Sequence, residues 1–396
     1  MGTKICLTLL GIFNLLLVSC HGQTKPAKEN PSPQNGIVGG PFENGEFMYI
    51  GMPENIHSTD TSAGWEQNGQ KLLITGTIYK PDGKTPAPGV ILYYYHTDIH
   101  GVYAGKQGLD PRVVRHGYIR GWVKSDANGK YAIYTIRPAP YPGRNIEAHI
   151  HPAIKEPNID KEYYIDEFVF DDDKLLTSEK RKRMENRGGS GVLRVLKQGD
   201  LQIAEHNIVL GLNIPNYPVS AKTTMNSGLQ IGEDQPSFMP FHAYGPDKGS
   251  RACPVCKYGR YHGIVYFVGN KPNWGDIKKW LAFLEQQSVA RSKYLKTYFV
   301  YGNDDQYSQE KRRAELEKIG AELKLKNMAL TFVPSFSDSE SEANLNKINK
   351  DAENTFVIFR NSSIIDKFIN LNPTADNFNM IARVLDTKKG DYFGLD

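Results

Sequence analysis

Between Thr135 and Pro152 the chain reads TIRPAPYPGRNIEAHIHP. His149 and His151 are separated by one apolar residue. In an extended strand alternate side chains share a face, so the two imidazoles begin about 7 Å apart on the same side. Such a pair can grip a metal ion, and on its own it can equally be a packing or surface pair. Tyr141 lies just upstream, held between Pro140 and Pro142, which limit its backbone freedom. With 22 tyrosines in 396 residues, a single tyrosine near a histidine decides nothing.

The elements that must position these groups read as strands. Lys71 to Tyr79, Val90 to Tyr95, Ile119 to Ser125, Tyr131 to Ile136, Glu147 to Ile154 and Glu162 to Phe170 are short runs rich in β-branched and aromatic residues. Turn signals such as PDGK, DANG and PYPG separate them, the pattern of an antiparallel β-sandwich or barrel. Lys174 to Gly189 is charged and helix-compatible, read as an insertion, and Val192 to Leu212 returns to strand character. Phe47 to Gly69 is read as an arm packed on this first domain.

Four elements in order carry a resemblance. A strand leads to G-V-Y at Tyr103; D-x-x-G-x-Y follows at Asp126, Gly129 and Tyr131; then come T-I-x-P-x-P-Y-P and A-H-I-H. Over roughly residues 72–217 the chain thereby resembles the intradiol ring-cleavage dioxygenases, the catechol and protocatechuate dioxygenase family. The resemblance implies a non-haem ferric iron, Fe(III), held by Tyr103, Tyr141, His149 and His151. Phenolate oxygen suits this hard ion, whose field can ionise a tyrosine of ordinary pKa near 10, and neutral imidazole is a good partner; zinc or copper stays open in principle. It further implies that a catechol-type substrate displaces Tyr141, which then accepts a proton, and that O2 cleaves the ring between the two hydroxylated carbons to a muconate-type diacid. The arginine often found two residues before the alanine of A-H-I-H is replaced by Ile146. Arg144 is the preferred substitute, with Arg120 and Arg115 behind it. His96, His100 and His116 are read as loop histidines rather than ligands.

The N-terminus has Lys4, an apolar run from Ile5 to Val18, and Leu17-Val18-Ser19-Cys20, the layout of a secretory leader. The last four residues resemble a bacterial lipoprotein box, which implies lipidation of Cys20 and a membrane partner at the cell envelope. Residues 1–20 are then the leader and residues 21–46, rich in Pro, Gly, Asn and Lys, a tether. The formal charge of +4 is too small and too dispersed for a nucleic-acid binder. The sequence leaves oligomerisation open.

After the sandwich (47–218) and a linker (219–244), residues 245–396 change period. Strand-like Ile264 to Gly269 is followed by Ile277, Trp280, Leu281 and Leu284 at helical spacing, and the alternation continues, which gives an α/β layer. This half resembles a thioredoxin-like or peroxiredoxin-like domain, but the position of the usual dithiol reads Asn270 to Trp274 without cysteine. Cys253 and Cys256, in C-P-V-C, precede the first central strand and are read as a local disulfide or a non-standard redox pair. Two rivals to ring cleavage follow: an envelope protein that captures catecholates without cleaving them, and a thiol oxidoreductase.

Overall fold

The structure is a computed structural model and describes residues 36–218, 226–305 and 307–387. Cys20 and the leader lie outside the described residues. In the first half the strands are β1 (Thr59–Thr61), β2 (Lys71–Tyr79), β3 (Ile91–His96), β4 (Arg120–Lys124), β5 (Lys130–Ile136), β6 (His149–Lys155), β7 (Tyr163–Tyr164), β8 (Phe168–Phe170), β9 (Val192–Leu193), β10 (Leu196–Gln198), β11 (Leu201–Glu205) and β12 (Ile208–Val209). One sheet runs β1-β5-β2-β11-β10 with β12 also on β2; the other runs β4-β3-β6-β8-β9 with β7 also on β6.

The expectation of an antiparallel sandwich needs correction, because both sheets are mixed. β1 is parallel to β5, β11 and β12 are parallel to β2, and β8 is parallel to β9. Side-chain alternation along a strand is the same whichever way its neighbour runs, so patterning alone does not report direction. The expected helix over Lys174 to Gly189 shrinks to α1 (Ser178–Lys182), capped by the Thr177 hydroxyl. Asn186, Gly188 and Gly189 all have positive φ, which no helix can continue through.

Leu72, Ile74 and Ile133 of one sheet pack against Leu92, Ile150, Ile154 and Phe168 of the other to form the core. The two-residue period of β6 therefore sends Ile150 and Ile154 inward and His149, His151 and Ala153 to the opposite face. On that outer face Tyr93, Tyr95, Ala153 and Met48 form their own cluster, with Phe42, Tyr103 and Trp122 against it. The arm covers it: Trp122 donates its indole N–H to the Met48 carbonyl at 2.7 Å.

The second half contains β13 (Phe241–Tyr244), α2 (Pro254–Tyr258), β14 (His262–Val268), α3 (Trp274–Ala290), β15 (Leu295–Tyr301), α4 (Gln309–Glu322), β16 (Ala329–Phe332), β17 (Thr355–Arg360), β18 (Ser363–Ile369) and α5 (Ala375–Thr387). They form one mixed sheet, β13-β16-β15-β14-β17-β18. β13 falls inside the stretch read as linker; it is a four-residue antiparallel edge strand on β16, too short to show a period. Asn361 and Ser362 turn the β17–β18 hairpin with φ of 49° and 59°, as a two-residue hairpin turn requires. Helices α3, α4 and α5 cover one face through Trp280, Leu284, Leu316 and Ile381, while loops and Phe238, Phe336 and Ala343 cover the other.

The described residues form one compact unit, so the C-terminal sheet is not set off as a separate body. Arg194 pairs with Asp234 at 2.7 Å, Arg260 with Asp171 at 2.7 Å, Lys84 with Asp366 at 2.8 Å, and Arg360 with Glu205. Cys253 and Cys256, read as a local disulfide or a non-standard redox pair, are joined in a disulfide (S–S 2.09 Å) across the first turn of α2. No described helix is long and apolar enough to cross a membrane.

Candidate metal centre

Tyr103 arrives on the loop after β3. Asp98 organises that loop, its Oδ1 accepting the N–H groups of His100 (2.8 Å) and Val102 (3.2 Å), while its backbone N–H donates to the Val102 carbonyl at 3.0 Å. The Thr97 hydroxyl donates to the Ala139 carbonyl at 2.8 Å, which ties the loop to the segment carrying Tyr141. Gly101 (φ 76°) lets the two segments touch, since a Cβ there would stand 2.1 Å from the Pro140 oxygen. Beyond Tyr141 the chain is pinned by Lys180 of α1, whose Nζ donates to the Asn145 carbonyl at 2.8 Å and to Glu147 at 2.6 Å.

These elements converge four donor atoms. Tyr103 Oη lies 2.6 Å from Tyr141 Oη and 2.8 Å from His151 Nε2. His149 Nε2 is 3.1 Å from both Tyr141 Oη and His151 Nε2, and Tyr141 Oη is 3.5 Å from His151 Nε2. Donors sharing one ion at about 2 Å stand at such separations from each other. His149 Nδ1 is 2.7 Å from the Glu147 carbonyl, an oxygen that only accepts. The ring hydrogen is therefore on Nδ1, and the Nε2 lone pair faces the other donors.

The surroundings favour a cation. Burial and the adjacent Tyr141 push the Tyr103 hydroxyl far above the usual tyrosine range, so without a strong positive charge it stays protonated. Burial, then His151, lower the His149 pKa, which keeps that imidazole neutral and able to ligate. Two imidazole nitrogens and two ionisable phenols, aimed at one another in a half-buried spot, are a donor set that fits ferric iron. Glu167, His149 and His151 also have donor atoms within 4.8 Å of each other.

The remaining residues read from sequence fall elsewhere. Arg144 is exposed, its backbone N–H closing a turn on the Tyr141 carbonyl at 3.2 Å. Arg120 stacks over Trp122 and Tyr93, and Arg115 is exposed. His96 is buried, bonded to the Thr97 carbonyl and Thr135 hydroxyl at 2.7 Å each, and burial lowers its pKa to about 4. His116 lies flat on Tyr95 at 3.7 Å and contacts the Tyr93 hydroxyl at 2.8 Å; His100 is exposed. Tyr95, stacked at 4.6 Å on His151, was not singled out in the sequence, although its pairing opposite His151 places both on one face. Glu167 gave no local signal at all, because only the β6–β8 pairing brings it near.

Residues 47–186 match the dioxygenase family model. That segment holds all four converging donors. Within the chain there is similarity to catechol 1,2-dioxygenase of Acinetobacter baylyi, 32% identical over 98 residues, or 24% of this chain and 30% of that protein. Chlorocatechol 1,2-dioxygenase of a Pseudomonas species is 39% identical over 70 residues, 18% of this chain and 26% of that protein. The chain thus spans under a third of the length of these relatives. Among solved structures, hydroxyquinol 1,2-dioxygenase from Pseudomonas putida aligns over 46% of this chain and 68% of its own, with 21% identity and a TM-score of 0.32.

Proposed function

We propose that the matched segment is a non-haem ferric ring-cleavage centre acting on catechol-type aromatics with O2. The observation that carries this reading is the meeting of Tyr103, Tyr141, His149 and His151, each within hydrogen-bond distance of at least two of the others. When bound, ferric iron would supply a Lewis acid that draws electron density from a deprotonated catechol and makes the ring reactive to O2.

The chain's own residues then divide the work. Tyr103, His149 and His151 are set by β3's loop and by β6, with the His149 ring fixed through the Glu147 carbonyl. Tyr141 rides on the short turn between two prolines, closed by the Arg144 N–H. It is the donor that moves aside for substrate, and its Oη takes up a substrate hydroxyl proton. Ile146, exposed beside this turn, gives the rim an apolar side chain that suits the face of an aromatic ring.

Iron loading of the purified chain tests this. A visible tyrosinate absorption, with O2 uptake and an ultraviolet-absorbing diacid on adding catechol, is the expected result. A colourless iron-free protein that takes up no O2 rejects it; colour and catechol binding without O2 uptake would favour capture over cleavage.

We further propose that the C-terminal sheet is a thioredoxin-like scaffold used for docking or stability. Export with lipid attachment at Cys20 rests on the leader's layout. Incorporation of labelled palmitate that persists after Cys20→Ser would reject the anchor.

A further inference from the structure

β6 turns the same ring nitrogen of both histidines toward the tyrosine hydroxyls, yet their other nitrogens have different surroundings. Nδ1 of His149 is held by the Glu147 carbonyl at 2.7 Å. Nδ1 of His151, on a side chain only 1% exposed, has no hydrogen bond. Backbone therefore fixes one imidazole's tautomer and leaves the other unset. This matters because the two Nε2 atoms are 3.1 Å apart. With a lone pair on His149 Nε2, the metal-free pair is most comfortable if His151 carries its hydrogen on Nε2 and donates it across. That tautomer closes the site to an ion.

An acid faces His151 Nδ1: Glu167, whose Oε1 is 3.4 Å away, a long electrostatic contact rather than a hydrogen bond. Glu167 immediately precedes β8, and β8 is bonded to β6 through His149↔Val169 and Ile150↔Phe168. The sheet therefore fixes the carboxylate behind the His151 ring, and its side chain, one-third exposed, has room to close the remaining gap.

We propose that Glu167 is a positioning residue for the metal centre. It accepts the Nδ1 hydrogen of His151, which leaves the Nε2 lone pair facing Tyr103 and Tyr141, and it places a negative charge behind a ligand ring. Carboxylates in this relation to a ligating imidazole raise its basicity and typically hold 10–100-fold in metal affinity. The effect on iron rests on the metal-centre reading above. The effect on the tautomer does not, since it belongs to the metal-free protein.

The experiment uses the full chain labelled with 15N-histidine, metal-free at pH 8, as parent, Glu167→Gln and Glu167→Leu. The expected parent spectrum has a pyrrole-type Nδ1 and a pyridine-type Nε2 for His151. In Glu167→Leu the hydrogen moves to Nε2, and chelator competition shows ferric affinity reduced about 10–100-fold. Glu167→Gln keeps a hydrogen-bonding group without the charge; it loses less affinity and shifts the visible tyrosinate band. The His149 Nδ1–H signal, whose partner is the Glu147 carbonyl, reports that each variant's site is intact. An Nε2–H tautomer of His151 in the parent, or an Nδ1–H tautomer and unchanged iron affinity in Glu167→Leu, overturns the proposal. A parent that binds no iron would count against the metal-centre reading, while the tautomer measurement still decides the part played by Glu167.

Discussion

Gly101 and Pro140 meet so closely that a Cβ on the glycine would lie 2.1 Å from the proline's carbonyl oxygen. This contact brings the loop of Tyr103 against the turn of Tyr141. Gly101→Ala must therefore both strain a backbone at φ 76° and push the two segments apart. The expected cost is about 1–3 kcal/mol of stability together with loss of most iron binding. Thermal melts and iron content of the purified variant check it; parent-like iron content would show that the contact does not set the site.

The two tyrosines should respond unequally. Tyr103 Oη touches both Tyr141 and His151, so Tyr103→Phe removes a donor from the centre of the cluster. Iron content and the visible band are expected to fall together. Tyr141→Phe should retain iron with a shifted band and lose at least about a hundredfold in turnover, the low end for a proton acceptor. Equal loss of iron in both variants would contradict this division.

Acid stability should depend on His206, buried against Phe168. Its Nε2 donates to the Ser190 carbonyl at 2.8 Å, and burial lowers its pKa from 6.5 to about 4. Above pH 6.5 the imidazole is neutral in both states and costs nothing. Between 6.5 and about 4 only the unfolded chain takes up the proton, so stability falls with pH by about 3 kcal/mol over that window. His206→Gln should flatten the melting temperature between pH 6.5 and 4 relative to the parent. An unchanged slope would assign the acid sensitivity to other groups.

Asp234 and Arg194 test how the two halves are joined. Their side chains are 16% and 6% exposed, and burial raises the Asp234 pKa even with Arg194 beside it. Desolvation thus outweighs attraction, and the intact pair adds little. Breaking it is another matter: Asp234→Ala strands a buried guanidinium and is expected to cost about 3–5 kcal/mol. Urea unfolding checks this, with a cost below about 1 kcal/mol contradicting it.

Much of the site is legible in the sequence because its logic is local. One apolar residue between His149 and His151 is enough to place both on one face, and two prolines mark Tyr141 as a fixed group. The α/β alternation of the second half is legible for the same reason, as Ile277, Trp280, Leu281 and Leu284 announce a helix by spacing alone. What stays hidden depends on pairing between distant segments. Strand direction leaves no trace in alternation, so the parallel neighbours of β2 and β8 are invisible. Glu167 and Tyr95 come to the histidines only through β6's neighbours, and β13 is too short to have a period. Arg144 shows the converse: proximity in sequence to Tyr141 did not aim its side chain inward.

β6 acts as a partition. Ile150 and Ile154 look into the oil of the sandwich while His149 and His151 look out beneath the arm, so folding and chemistry draw on alternate letters of the same few residues. A substitution on the rim near Ile146 need not disturb what keeps the molecule folded, which leaves that rim free to drift. A single inserted residue in β6 has the opposite character: it would exchange the two sets at once, and no repair elsewhere could restore either.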